Sequence, residues 1–300
     1  MHQASASVES FQLHCEQGAK ALTIHQFSEA LKCYDRACKD AEAFGPADDR
    51  LTDTLLKMAE ICRFQRNYER AEFYYKRALA FREKMHGRKS LIFCNERDNL
   101  GNFYVSSNKN SEAIALFKQA LEEQTTSVGT NGISLTPYLT RLANSYQALG
   151  DYKNAEQMTR QKLSIIEHQP QVNNSTKGIV EEELAELVAK QGRYADAIQL
   201  CLTAIKTQQA NGAESFILLP ALEKLGKYYF AANKFTEAES TLKRILSIQE
   251  KESGEGSPVL VQSLTELAAI LRKTGKEVEA ERCLQRARTI EKRHTILKPR

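Results

Sequence analysis

The chain is short of long hydrophobic runs, and this excludes a membrane-spanning helix from the start. Its longest uncharged apolar stretch, Ser215 to Ala221, falls far below the roughly 18 to 20 residues that a spanning helix needs. The first ten residues, MHQASASVES, lack both the basic region and the apolar core of a secretory signal, so cytoplasmic residence is expected. No GxxxxGK[ST], GxGxxG or GxSxG occurs. The six histidines, His2, His14, His25, His86, His168 and His294, are scattered, with none beside a cysteine or carboxylate at metal-ligand spacing. Neither catalysis nor a metal nor a cofactor is expected. The seven cysteines form no CxxC pair and no disulfide rhythm, and they read as reduced packing residues. A net charge of +4 on 300 residues lacks the clustered basic footprint of a nucleic-acid binder.

What is present is a period. A tetrad of small and aromatic residues recurs as Gly18/Ala30/Tyr34/Ala37, Ala59/Ala71/Tyr75/Ala78 and Gly101/Ala113/Phe117/Ala120. Its first alanine continues at Ala155, Ala197, Ala238 and Ala280, so seven units tile the chain in steps of 41 or 42. A fixed period of this length implies stacked supersecondary units that present an extended binding surface. Length alone would suggest two domains, but the repeat leaves no room for a boundary, so a single solenoid over 1–300 is expected. Its units fall at about 7–45, 47–88, 89–130, 133–171, 174–212, 214–255 and 257–294, before a basic tail at 295–300.

Each unit divides into two helices. In the second, Leu55, Met58, Ala59 and Cys62 stand at helical spacing, which defines helix A; Ala71, Tyr75, Ala78 and Leu79 do the same in helix B. Small residues at Ala59 and Ala71 let the helices approach, while Tyr68 and Tyr75 fill the space between neighbours. Arg66-Asn67, Gly150-Asp151 and Gly192-Arg193 mark turns from A to B. Gly45-Pro46, Gly87, Gly129, Gly212 and Gly254 with Pro258 mark the breaks between units. Polar residues such as Glu281, Arg282 and Gln285 give the last helix a capped outer face. Phe11 and Leu13 precede the first packed stripe, so a monomer or a weak dimer through the first unit is expected.

The run Tyr68-Glu69-Arg70-Ala71-Glu72 followed by Tyr75-Lys76-Arg77-Ala78-Leu79 resembles the second half of a tetratricopeptide repeat (TPR), and the other units follow it. Gly101, Tyr104, Ala113, Phe117 and Ala120 match the family's consensus. The period is longer than that of an ordinary tetratricopeptide repeat and resembles the kinesin-light-chain subtype, without the N-terminal heptad segment of a true kinesin light chain. The fourth unit departs, with Thr159 and Lys162 where an aromatic and an alanine are usual. The resemblance implies an all-α, right-handed TPR superhelix of about seven helix-turn-helix repeats, whose A helices line a concave peptide-binding groove.

On that geometry the groove would be lined by Lys57, Glu60, Arg63 and Phe64 in the second unit, and by Asn95, Asp98, Asn99 and Asn102 in the third. Arg141, Asn144 and Gln147 follow in the fourth, Glu182, Glu183 and Glu186 in the fifth, and Glu223, Lys224, Lys227 and Phe230 in the sixth. Carboxamides at Asn99, Asn102 and Asn144 offer a donor and an acceptor to a peptide backbone, while Lys57, Arg63 and Arg141 would favour acidic residues. The acidic residues of the fifth unit beside Lys224 and Lys227 read as an inter-repeat salt-bridge network. No three consecutive units supply the lysine and asparagine pattern of a carboxylate clamp, so a chaperone C-terminus is not the expected ligand. The expected function is a non-catalytic scaffold for a protein or peptide partner, with no nucleic acid and no membrane involved. The alternative is a peptide-sensing regulator whose superhelix changes pitch on binding.

Overall fold

The seven tetrad alanines, Ala30, Ala71, Ala113, Ala155, Ala197, Ala238 and Ala280, are all completely buried, because each lies where one helix of a pair crosses its partner most closely. The computed structural model describes residues 2–44, 48–169, 171–210 and 216–296. The breaks expected at Gly45-Pro46 and Gly212, and the end of the basic tail, lie outside these residues. Among them there are no strands and fourteen α-helices: α1 His2–Thr23, α2 Phe27–Glu42, α3 Arg50–Phe64, α4 Tyr68–His86, α5 Leu91–Ser106, α6 Asn110–Val128, α7 Thr136–Ala148, α8 Tyr152–Glu167, α9 Asn174–Lys190, α10 Tyr194–Gln209, α11 Leu219–Ala231, α12 Phe235–Ser253, α13 Leu260–Lys273 and α14 Glu277–Ile296. Odd-numbered helices are the A helices and even-numbered ones the B helices.

The helices group into two compact units, 1–123 and 124–300. In the first, α1 packs on α2, α2 on α3, α3 on α4 and α4 on α5; in the second, each helix from α7 to α14 packs on the next. In the first and third repeats the A and B helices meet through a glycine set against a ring. A methyl group added to Gly101 would come within 2.5 Å of the Phe117 ring, and one added to Gly18 within 2.9 Å of the Tyr34 ring. Phe117 and Tyr34 are themselves buried, so neither ring has room to retreat. In the fourth repeat Thr159 takes the aromatic place, buried, with its hydroxyl donating back to the Ala155 carbonyl at 3.0 Å. Lys162 leaves the tetrad pattern altogether and reaches Glu183 of the next A helix at 2.8 Å.

Every A-to-B turn has the same backbone. His25, Arg66, Asn108, Gly150, Gly192, Asn233 and Gly275 all take positive φ, between 58° and 77°. The next residue's N–H returns to a carbonyl five residues back, as in Gln26 to Ala21 (2.8 Å), Asn67 to Cys62 (2.9 Å), Asp151 to Tyr146 (2.9 Å) and Lys276 to Leu271 (2.9 Å). This is the Schellman closure, which satisfies carbonyls that the helix end would otherwise leave open. Asn67 and Asp151 then cap the following helix through their side chains. Glycine was expected at two of these turns; at four others the left-handed residue is not glycine, and the closing hydrogen bonds hold it there.

Consecutive repeats are tied by an ion-pair motif that recurs three times. Glu72, Glu156 and Glu239 each directly follow a tetrad alanine. Each pairs with a base one turn on, at Lys76, Arg160 and Lys243, and with a base at the head of the next B helix, at Lys109, Arg193 and Lys276. Burial pushes the Glu72 carboxyl up, but hydrogen bonds from Lys109, Lys76 and Tyr104 outweigh it and hold the group at about 2. Glu156 and Glu239 are lowered in the same sense by their own partners.

At the N-terminal end, Phe11 is less available than its sequence position implies. It meets Phe44 edge-on at 5.7 Å, and the Arg50 guanidinium lies 3.6 Å from the centre of the Phe44 ring. Leu13 remains as the exposed apolar side chain there. Of the seven free cysteines, Cys33, Cys38, Cys62 and Cys201 are buried and Cys15, Cys94 and Cys283 are half-buried, so the packing role holds fully for four. Burial pushes the Cys38 and Cys201 thiols up to about 12, which makes them poor nucleophiles.

Two outcomes follow for stability. Gly101→Ala should destabilise by about 1–3 kcal/mol through overpacking on Phe117. Gly226→Ala, whose added methyl meets only Thr241 Cγ2 at 3.8 Å, should be neutral or stabilise by up to about 1 kcal/mol through helix propensity; chemical denaturation of both variants reads the difference in sign. Because the Glu72 carboxyl is lowered in the folded state, its stabilisation is present above pH 4.5 and disappears as pH falls toward about 2, and Glu156 and Glu239 act in the same direction. Glu72→Gln should cost roughly 1–3 kcal/mol at pH 7 and flatten the acid limb of a stability–pH curve. An unchanged acid limb would remove this role.

Candidate functional site

The A helices expose one row of side chains that the tetrad leaves free, and in the first unit this row forms a cleft. The cleft has a volume of about 370 Å³ and is lined by Leu56, Glu60 and Arg63 of α3, Tyr75 of α4, and Asn99, Asn102, Phe103 and Ser106 of α5. Its wall is rigid because Phe103 is buried against Tyr75, with ring centres 5.0 Å apart. Asn99 and Asn102 are exposed on the cleft. Asn99 Nδ2 donates to Glu96 at 3.2 Å, while Asn102 has no partner among the described residues.

Arg63 behaves differently from the expectation of a free carboxylate receptor. Its Nε and a terminal nitrogen both donate to Glu60 Oε2, at 3.0 and 2.5 Å, and the Tyr75 hydroxyl donates to the other oxygen of that carboxylate. Burial pushes Glu60 up, but the bonds from Arg63 and Tyr75 prevail and its pKa is lowered. The guanidinium is therefore already neutralised, and an incoming carboxylate must compete with Glu60. Lys57 and Asn95 are exposed but do not line the cleft.

In the second unit, Arg141 is half-buried on α7 above the Tyr138 ring, and Asn144 is exposed one turn on. Lys224 of α11 pairs with Glu186 at 3.2 Å and approaches Glu182 at 3.9 Å, so the charges of these two repeats do form an inter-repeat network. Glu182 is not a groove residue: it is buried, accepts from Gln208 Nε2 at 2.8 Å, and burial raises its pKa. Lys227 lies with Glu223 and Phe230 on a cleft of about 260 Å³ between α11 and α13, floored by Gly226, Leu242, Ala269 and Ile270.

Sequence reasoning missed two buried arginines. Arg82 is held by Asp49 and Asp53, and Arg97 by Glu123, each being 5% exposed or less. Both stand among apolar neighbours at helical spacing, a weak signal that charge alone would hide. Among the described residues no group of three histidine, cysteine or carboxylate side chains is placed to hold a metal.

Comparison with known proteins agrees with this architecture. Tetratricopeptide-repeat family models match residues 54–85, 97–129 and 139–172, and again 178–251 and 220–293, more than half of the chain. The chain belongs to the tetratricopeptide repeat family. Its repeats are similar to those of kinesin light chain-related proteins. Kinesin light chain-related protein 1 of Arabidopsis thaliana is 21% identical over 56% of the TPR chain and 28% of its own length. Kinesin light chain-related protein 3 of the same plant is 23% identical over 66% and 30%. The TPR chain thus spans about three tenths of the length of these relatives. Among solved structures, the nearly identical TPR-like repeats of a Podospora anserina protein assigned as a kinesin light chain superpose with a TM-score of 0.56 at 23% identity, covering 67% of this chain and 95% of that one. The C-terminal part of a TPR repeat-containing protein from Cytophaga hutchinsonii reaches 0.59 at 12% identity, covering 94% and 98%. At these identities the likeness concerns the fold.

Proposed function

We propose that this TPR protein is a non-catalytic interaction scaffold that captures a short peptide or disordered segment of a protein partner along its A helices. The observation that carries the reading is the pair Asn99 and Asn102, one turn apart on the open side of a rigid cleft. A carboxamide donates and accepts at once, so two at this spacing hold an extended backbone irrespective of its side chains. Tyr75 and Phe103 beneath them supply a preformed wall, which lowers the ordering cost of binding. Preference for acidic segments is small, since Glu60 already occupies Arg63 and Lys57 lies outside the cleft lining. Arg141 and Asn144 hold the corresponding positions of the repeat in the A helix of the fourth unit.

The test is a peptide array probed with the full chain, followed by titration of captured peptides against Asn99→Ala/Asn102→Ala. Both side chains are exposed, so the melting temperature should not change. Affinity should fall about tenfold or more. Captured peptides that bind the double variant as tightly as the native chain would refute the site.

A further inference from the structure

The internal repetition allows one repeat to serve as the control for another. Gln208 of the fifth repeat and Gln249 of the sixth stand at the same offset from their tetrad alanines, Ala197 and Ala238. Glu182 and Glu223 likewise match each other in the two A helices. In the fifth repeat the pair is closed, with Gln208 Nε2 donating to Glu182 at 2.8 Å. In the sixth it is open. Glu223 is exposed and makes no hydrogen bond or ion pair among the described residues, and a cleft of about 220 Å³ is lined by both Glu223 and Gln249. Gln249 is only 4% exposed and its Oε1, like that of Gln208, has no hydrogen-bond partner; the sixth repeat differs in that this acceptor lines an open cleft. A buried acceptor without a donor is costly, and it faces a space large enough for one.

The rim gives that donor a sign. Among the described residues Glu223 is unpaired, Glu266 accepts from the neutral Gln262 amide alone, at 3.0 Å, and Lys227 is the single ammonium lining the cleft with these two carboxylates. Directly beside lies the apolar cleft floored by Leu242 and Ile270 and walled by Phe230, which shares Glu223, Lys227 and Glu266 with it. We propose that this double cleft of the sixth and seventh repeats is a subsite for a peptide segment in which a lysine or arginine stands next to an apolar residue. The cationic N–H passes between Glu223 and Glu266 to reach Gln249 Oε1, and the apolar side chain covers Leu242 and Ile270. This deepens the reading of the chain as a peptide scaffold and rests on it.

The probe is a set of acetylated, amidated, fluorescently labelled octapeptides with one Arg-Leu or Lys-Leu pair in a Ser/Gly background, titrated against the full chain by fluorescence polarisation. Exchanging the basic residue for Glu, or Leu for Ala, should weaken binding about fivefold or more each. Gln249→Met removes the unmet acceptor, so it should melt at or above the native temperature while losing the preference for the basic residue. Ala269→Trp, at an exposed position on α13, fills the apolar cleft from outside the core and should abolish binding. Asn99→Ala/Asn102→Ala should leave these peptides unaffected. Equal binding of basic and acidic peptides, or native affinity in both Gln249→Met and Ala269→Trp, would overturn the subsite. If array-captured peptides still depend on Asn99 and Asn102, only the subsite falls; if they depend on neither cleft, the scaffold reading falls with it.

Discussion

The constraint on which the repeats rest is the close crossing of their A and B helices, made in the first and third repeats by a glycine on the A helix set against a ring on the B helix. Gly101 against Phe117 is the tightest instance, and Gly18 against Tyr34 repeats it. The contact fixes how closely the two helices cross, and therefore which face of the A helix is consumed by packing. The face left over is where Glu60, Arg63, Asn99 and Asn102 gather. In the proposed reading packing and binding fall largely on different positions of the same helices, with Tyr75, a tetrad residue that also lines the cleft, shared between them. This is how a solenoid keeps its fold while its surface diverges.

The polar residues between repeats act on a different link of the chain of causes. Glu72, Glu156 and Glu239 each engage a base on their own helix and one at the head of the next B helix, and so tie consecutive repeats to each other. Individually such pairs stabilise little when exposed, but these carboxylates are largely buried and multiply bonded, where losing a partner leaves a costly charge. Arg82 and Arg97 work similarly within the first unit. Gln249 differs from these positions in that its buried, unpartnered oxygen lines an open cleft.

Much of the fold was legible from the 42-residue period, since small residues at close crossings and aromatics beside them have few alternatives. Helix limits also followed, with α4 running from Tyr68 to His86 where the pattern placed helix B. What stayed hidden depends on tertiary partners. His25, Arg66, Asn108 and Asn233 hold a left-handed backbone that glycine would signal and these residues do not. Glu182 looked solvated because a carboxylate gives no local sign that Gln208 will cover it. Arg63 looked free because its neutralising partner, Glu60, stood in the same predicted row and pairing between neighbours on one face is not visible from spacing alone.

The most direct test of the division between packing and binding is a side-chain amide and aromatic NMR titration of the full chain with an array-captured peptide. The account predicts that the Asn99 and Asn102 amide resonances shift together with the Tyr75 and Phe103 rings, while the rings of Tyr34 and Phe117 at the helix crossings stay in place. Shifts centred on the B helices, with Asn99 and Asn102 unmoved, would contradict it.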